Sequence, residues 1–395
     1  MTRCRIVDTA YGYAPASPQF VELPKGFKLR CGEKLDGARI AYEAWGRLSP
    51  RRDNAVLILS GLSASAHAAS HPDDRSCGWW EEMVGPGKPI DTDRFYVICI
   101  NMLGSCFGST GPASINPLTN QPYRLDFPPL CVEDIADSAV AALRALGIGE
   151  LACLIGASMG GMTALSMLSR HPGCARFHIN ISSAARATAF AIALRSLQRQ
   201  AVCMDPNWCA GKYGDPKNVR GGMMLARMLG TLSYRSAEEL EQRFGRNLID
   251  LHADNTVAEH SFDPEFEVAG YLSYQAKRFV GHYDPNSFLY LGRALDRFDL
   301  AESMNGDLNS ALAAIRLERA LVIGVESDML FPIEQQEAIA EGLGRGGVWS
   351  EMVRLDALQG HDTFLIAPER IGPPITRFLY EIDACRTEYA GELSA

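Results

Sequence analysis

The stretch "LIGASMGGM", Leu154 to Met162, sets a serine between glycines in the pattern Gly156-x-Ser158-x-Gly160, directly after a short apolar run. A strand that enters a helix through such a serine makes a nucleophile elbow. The turn is sharp, it exposes the serine oxygen, and small neighbours let the backbone approach closely. The amide of Met159, first in the helix, then points at the oxyanion that develops when Ser158 attacks a carbonyl. What takes the acyl group afterwards decides the enzyme class. Water makes a hydrolase, an amino-acid hydroxyl makes a transferase, and the stretch alone leaves both open.

Working outward, short β-rich runs recur and end near glycine, serine or asparagine: "AVLILSG" (55 to 61), "YVICIN" (96 to 101), "LACLIG" (151 to 156), "FHINISS" (177 to 183) and "ALVIGVES" (320 to 327). Continuous apolar strands of this kind suit a parallel sheet covered on both faces. Helical stretches alternate with them, as in "VEDIADSAVAALRALGI" (132 to 148) and "GGMTALSMLSRHP" (160 to 172), which predicts a doubly wound α/β sheet with right-handed crossovers. From about Ala184 to Leu300 strands give way to amphipathic helices such as "AFAIALRSLQRQAV" and "GGMMLARMLGTL", read as a helical lid. The expected division is a first core part over residues 1–184, a lid over 185–300 and a second core part over 301–395. "EMVRLD" (351 to 356) supplies the last strand and "PPITRFLYEIDAC" a closing helix.

Composition bounds the rest. With 395 residues, 47% hydrophobic and 22% charged, the chain reads as a globular α/β core carrying one insertion. A net charge of −9 and scattered arginines argue against nucleic acid as a partner. No window is apolar enough for a membrane span and the N-terminus lacks a signal-peptide core, so the expected location is the cytoplasm. The eleven cysteines have no paired CxxC spacing and read as reduced, mostly buried thiols.

An activated serine needs a base and an acid that orients it, and in this fold class they follow in the order Ser, Asp or Glu, His. Asp328 comes just past "ALVIGVES", at the carboxyl edge of the sheet that also presents Ser158. His361, in "LQGHDTFL", follows the last strand and takes the serine proton, while Asp328 holds its tautomer. Asp356 and Asp362 are rival acids. His171 reads as the end of the helix after the elbow, and His67, in "SASAH", as a candidate for the pocket wall. The second oxyanion donor is expected from "SGLSASAH" (60 to 67), at the Leu62 amide.

Together these elements resemble the homoserine O-acetyltransferase family of acyltransferases with the α/β-hydrolase fold. The resemblance runs through "AYEAWG", "GWWEEMVGPGKPIDTDRFYVICINMLGSCFGSTGP", "GASMGGMTAL", "FDPEFEVAGYLSYQAKRFV", "DPNSFLYLGRALDRFDLA", "SDMLFP" and "GHDTFL". It implies Ser158 as nucleophile, Asp328 as acid and His361 as base. It also implies a ping-pong reaction in which the serine accepts an acyl group from acyl-CoA and passes it to an amino-acid hydroxyl. Arg227, in "LARMLG", and Asp362 match the family residues that hold the amino acid. The family pattern further implies a homodimer through lid helices and acyl-CoA as co-substrate, with no cofactor and no metal expected.

Around Arg195 the segment "HINISSAARATAFAIALRSLQRQAV" resembles the serine O-succinyltransferase branch. That makes Arg195 the candidate for the succinyl carboxylate, a task suited to a guanidinium. Homoserine succinyltransferases often carry an arginine where Leu330 stands here. Thr163, where homoserine enzymes usually have glutamine, also leans to the serine branch. Ala64-Ser65 and Ala157 depart from that branch's pattern, and the acceptor side of the pocket is expected at Gly61, Leu62, Ser63 and Ala64. The expected activity is succinyl transfer to L-serine. Homoserine O-acyltransfer is the near alternative, and hydrolysis by the same triad the more distant one.

Overall fold

The computed structural model describes residues 18–249 and 264–392. The reading of the N-terminus over residues 1–17, and Phe262 and Asp263 of the family motif, lie outside them.

Eight strands form one sheet: β1 (Gln19–Glu22), β2 (Arg39–Trp45), β3 (Ala55–Leu59), β4 (Tyr96–Ile100), β5 (Leu151–Ala157), β6 (Ala175–Ile181), β7 (Arg319–Val325) and β8 (Trp349–Leu355). Their spatial order is β1-β2-β4-β3-β5-β6-β7-β8. From β4 to β8 every pairing is parallel, while β1 and β2 run antiparallel at one side. The sheet is the expected mostly parallel, doubly wound one, and β5, which leads to Ser158, sits inside it between β3 and β6.

Burial on both faces explains the unbroken apolar runs. Along β5, Leu154 packs into one core while Cys153 and Ile155 pack into the other. Helix α1 (Val132–Ala145) and helix α2 (Met159–Arg170) cover the sheet, and His171 caps the C-terminus of α2 as expected. Two strands begin about two residues earlier than expected: β6 stops at Ile181 because Ser182 turns into a positive φ of 43°, and β8 already starts at Trp349.

The antiparallel pair β1 and β2 was not anticipated. β2, "RIAYEAW", has a polar residue, Glu43, buried among apolar neighbours. It pairs with β4 and β1 at positions that local pattern does not reveal.

Between β6 and β7 the chain carries α3 (Ala189–Met204), α4 (Arg220–Tyr234), α5 (Ala237–Phe244), α6 (Glu267–Phe279) and α7 (Pro285–Arg297). Helix α4 packs against α3 and α6, and α7 against α3. A helix over Pro368–Glu392 closes the chain against β7 and β8. Among the described residues no helix is long and apolar enough to cross a membrane. Among the described cysteines, Cys99, Cys106, Cys153 and Cys174 are buried, Cys77 and Cys131 half-buried, and Cys31, Cys203 and Cys209 exposed, fewer buried than expected. The exposed ones lie in polar or amphipathic segments where a small residue has no core to join.

Candidate active site

Ser158 occupies the turn from β5 into α2 with φ 55° and ψ −121°, a left-handed conformation that a serine holds only under constraint. Two features supply that constraint. The Ser158 amide donates to Ile181 O at 2.9 Å, and Ser183 Oγ donates to Ser158 O at 2.7 Å, tying the elbow to the neighbouring strand. The flanking glycines are required by space: a Cβ on Gly160 would fall 1.9 Å from Leu59 O, and one on Gly156 2.5 Å from Gly160 O.

His361 follows β8 in a short 3-10 turn, Gly360–Asp362, with its ring set among Phe331, Phe364 and Tyr234. Its Nε2 lies 2.9 Å from Ser158 Oγ and its Nδ1 2.8 Å from Asp328 Oδ2. Asp328 is itself aimed by two backbone donors, since the amides of Leu330 and Phe331 each reach its Oδ1 at 2.9 Å. Burial pulls the His361 pKa down, but the charge and hydrogen bond of Asp328, helped by Asp362, outweigh it and raise the pKa above its ordinary value. The imidazole therefore has the acid that favours its protonated form on one nitrogen and the serine hydroxyl on the other. Of the three candidate acids, Asp328, Asp356 and Asp362, it is Asp328 that makes the hydrogen bond to Nδ1.

One cleft opens over this trio. Its walls include Gly61, Leu62, Ser63 and Ala64, the triad members Ser158 and His361, and the charged residues Arg195, Arg227 and Asp362. Gly61 stands directly over the nucleophile, 3.9 Å from the Ser158 Cβ to where its own would be. The loop is held by Tyr283, whose hydroxyl donates to Leu62 O at 2.9 Å. Met159 is fully buried beneath the elbow, so only its backbone can face the reacting atoms.

The charged groups are less simply placed than the sequence implied. Arg195 is 6% exposed, with Nε 2.5 Å from Asp296 Oδ1, and its Nη2 is buried without a hydrogen-bond partner. Arg199, one helical turn on, reaches Asp296 Oδ2 at 2.5 Å and lines the same cleft. Arg227 lies over the Phe279 ring at 4.8 Å. Asp362 has Arg235 Nε at 3.3 Å; burial raises its pKa, with Arg235, His361 and Arg227 pulling the other way.

His67 does not line the cleft. It is turned away from it, with Nδ1 2.8 Å from Glu43 Oε2, because a buried carboxylate on β2 offers it a charge-assisted partner. Sequence reasoning also missed Arg199, Arg235 and Asp296. Arg199 had a signal, its four-residue spacing from Arg195 on one helix face. Asp296 had none, since it meets Arg195 across 101 residues.

These features have known counterparts. A family model described as alpha/beta hydrolase fold matches residues 54–368. An L-serine/homoserine O-acetyltransferase from Streptomyces lavendulae is 54% identical over 369 residues, 93% of this chain and 98% of its own. A serine O-succinyltransferase from Stenotrophomonas maltophilia is 52% identical over 367 residues, again 93% of this chain and 98% of the relative. The crystal structure of homoserine O-acetyltransferase from Bacillus anthracis matches with a TM-score of 0.82 at 25% identity, over 92% of this chain and 97% of that one. With this sheet order, this elbow and these relatives, the chain belongs to the α/β-hydrolase fold family and, within it, to the O-acyltransferases that the serine and homoserine enzymes make up.

Proposed function

We propose that the protein is an L-serine O-succinyltransferase that takes succinyl from succinyl-CoA and makes O-succinylserine for cysteine synthesis in the cytoplasm. The observation that carries this reading is the buried guanidinium of Arg195, which shares a cleft with Ser158. A succinyl chain ends in a carboxylate that acetyl lacks, and burying it calls for such a partner.

The chemistry is two acyl transfers. His361 Nε2 accepts the Ser158 proton as Oγ attacks the thioester carbonyl, and the amides of Leu62 and Met159 hold the oxyanion. The C–S bond breaks, and the thiol leaves with the proton from His361. The amino-acid hydroxyl then gives its proton to His361 and attacks the acyl-serine ester, and Ser158 Oγ departs with that proton. Asp328 steadies the imidazolium in both halves. Arg227 takes the acceptor carboxylate and Asp362 the ammonium, an arrangement that an esterase using water would not need. The helices α3 to α7 serve as the lid, which carries Arg195 and Arg227, while Asp362 stands outside it in the turn after β8.

A second reading has support of its own. The relative at 54% identity is named an L-serine/homoserine O-acetyltransferase, and Asp296 partly neutralises Arg195 here. One methylene separates serine from homoserine, a difference worth only about 1–3 kcal/mol in a pocket. Purified protein incubated with serine or homoserine and with succinyl-CoA or acetyl-CoA separates the readings by product mass. Preference for homoserine overturns the acceptor, preference for acetyl-CoA the donor, and CoA release that continues beyond one equivalent without any amino acid indicates hydrolysis.

The reading includes a homodimer through lid helices. Phe190 and Leu197 of α3 and Leu225 and Leu232 of α4 are exposed, an apolar surface suited to a second copy. Sedimentation at micromolar concentration checks it, and a monomer there overturns it.

A further inference from the structure

The loop that leaves β3 and forms one wall of the cleft folds back onto β2 through a second cluster. Glu43 is 2% exposed, and its Oε2 lies 2.8 Å from His67 Nδ1 and 3.2 Å from His71 Nε2. One ligand atom from each of the three falls within 4.8 Å of the others. Asp74, also buried, brings Oδ2 to 3.9 Å from His67 Nδ1. Two buried atoms here make no hydrogen bond, Glu43 Oε1 and His71 Nε2. A carboxylate oxygen sealed from water without a partner is costly, and two buried carboxylates at one spot add to that cost.

We propose that Glu43, His67 and His71 form a binding site for one divalent transition-metal cation of the zinc type, with Asp74 the nearest further oxygen. Imidazole nitrogens favour such cations over magnesium or calcium, and the carboxylates supply the charge that offsets it. A tetrahedral ion with bonds of about 2.0–2.2 Å spaces its ligands by roughly 3.3–3.6 Å, which the cluster reaches with sub-ångström to ångström side-chain shifts.

The surroundings match that assignment. His67 Nε2 donates to Ser76 O at 3.0 Å, which leaves Nδ1 to bind the metal. Without the cation a proton sits between Nδ1 and Glu43; on loading, the cation replaces it and the proton goes to solvent. His71 binds through Nε2 once its proton moves to Nδ1. The contact from the Asp73 amide to Nδ1, at 3.3 Å, is then given up, and the exposed Asp73 carboxylate, 4.0 Å away, is placed to accept a hydrogen bond from Nδ1–H. Neither Glu43, His67 nor His71 lines the cleft, so the ion's role is structural. It fastens the far end of the loop that carries Gly61 to Ala64.

The test uses the full chain, dialysed against chelator and titrated with Zn²⁺ alone in a calorimeter, with melting followed in parallel. One equivalent bound and a melting temperature several degrees higher are expected, both lost in His71→Asn and in Glu43→Gln. Absence of saturable binding overturns the proposal, as does binding that persists unchanged in His71→Asn. Titration with Co²⁺ guards against the exposed cysteines: d–d absorption without a thiolate charge-transfer band supports the site, and a strong thiolate band overturns it. If Glu43→Gln fails to fold, His71→Asn, at a half-buried position, decides alone.

Discussion

Asp296 holds Arg195 by its Nε edge, at 2.5 Å, and leaves Nη2 of this buried, cleft-lining guanidinium without a hydrogen-bond partner. The ion pair fixes the plane of the fork without occupying all of it. Arg195→Asn should therefore cost succinyl-CoA turnover more than acetyl-CoA turnover. A hydrogen bond to a charged group is worth about 1.5–3 kcal/mol, so kcat/KM for succinyl-CoA should fall by roughly ten- to a hundredfold. Because Arg199 still pairs with Asp296, the variant should fold. Steady-state kinetics with both donors check it, and an unchanged donor ratio assigns Arg195 a purely structural task.

Ser158→Ala should leave no covalent acyl-enzyme. Intact-mass measurement after mixing with succinyl-CoA should find the acyl increment on the parent protein and none on the variant. A surviving increment would place the nucleophile elsewhere.

The pH profile follows from His361. Its pKa is raised above the ordinary 6.5, and only the neutral ring can accept a proton. Activity should therefore be lost as pH falls through that raised value, giving kcat/KM an acid limb above 6.5. In Asp328→Asn the burial that lowers the pKa is left without its main opponent, so the limb should move to lower pH, while kcat drops by about 10⁴-fold.

Arg235 pairs with Asp362 at 3.3 Å, so with Asp362 proposed to bind the acceptor ammonium, Arg235 would act at one remove. Arg235→Gln should raise KM for the amino acid, while the first burst of CoA release, which needs no acceptor, keeps its rate. Rapid-quench measurement of that burst separates the two halves, and a slowed burst would show that Arg235 supports the triad instead.

Gly160→Ala places a methyl 1.9 Å from Leu59 O, against backbone that cannot step aside. Loss of at least ~3 kcal/mol of stability is expected in urea unfolding. A variant as stable as the parent would mean the elbow can open.

The core of the fold was legible because its strands are buried on both faces, which writes each as a continuous apolar run: β3, β4, β5, β6 and β7 all stand where such runs occur. β2 escaped because its pattern is interrupted by Glu43, a polar residue whose partner is a histidine 24 positions away. Ser158, Asp328 and His361 were readable from chain order, since each follows a strand at one edge of the sheet. The ion pairs Arg195–Asp296 and Arg235–Asp362 were not, because they join segments by tertiary packing and leave no local period. The same reason hid the true neighbours of His67.

The bonds that fix Ser158 run to Ile181 and Ser183, not to any lid helix. The reacting oxygen is thereby referenced to the sheet, while Arg195, proposed to select the donor, and Arg227, proposed to hold the acceptor, ride on α3 and α4. On the proposed reading, reactivity and the choice of acyl group rest on different parts of the fold. A lineage of such enzymes can exchange one acyl group for another by substitutions on the lid helices while the sheet keeps the attacking atom where it was.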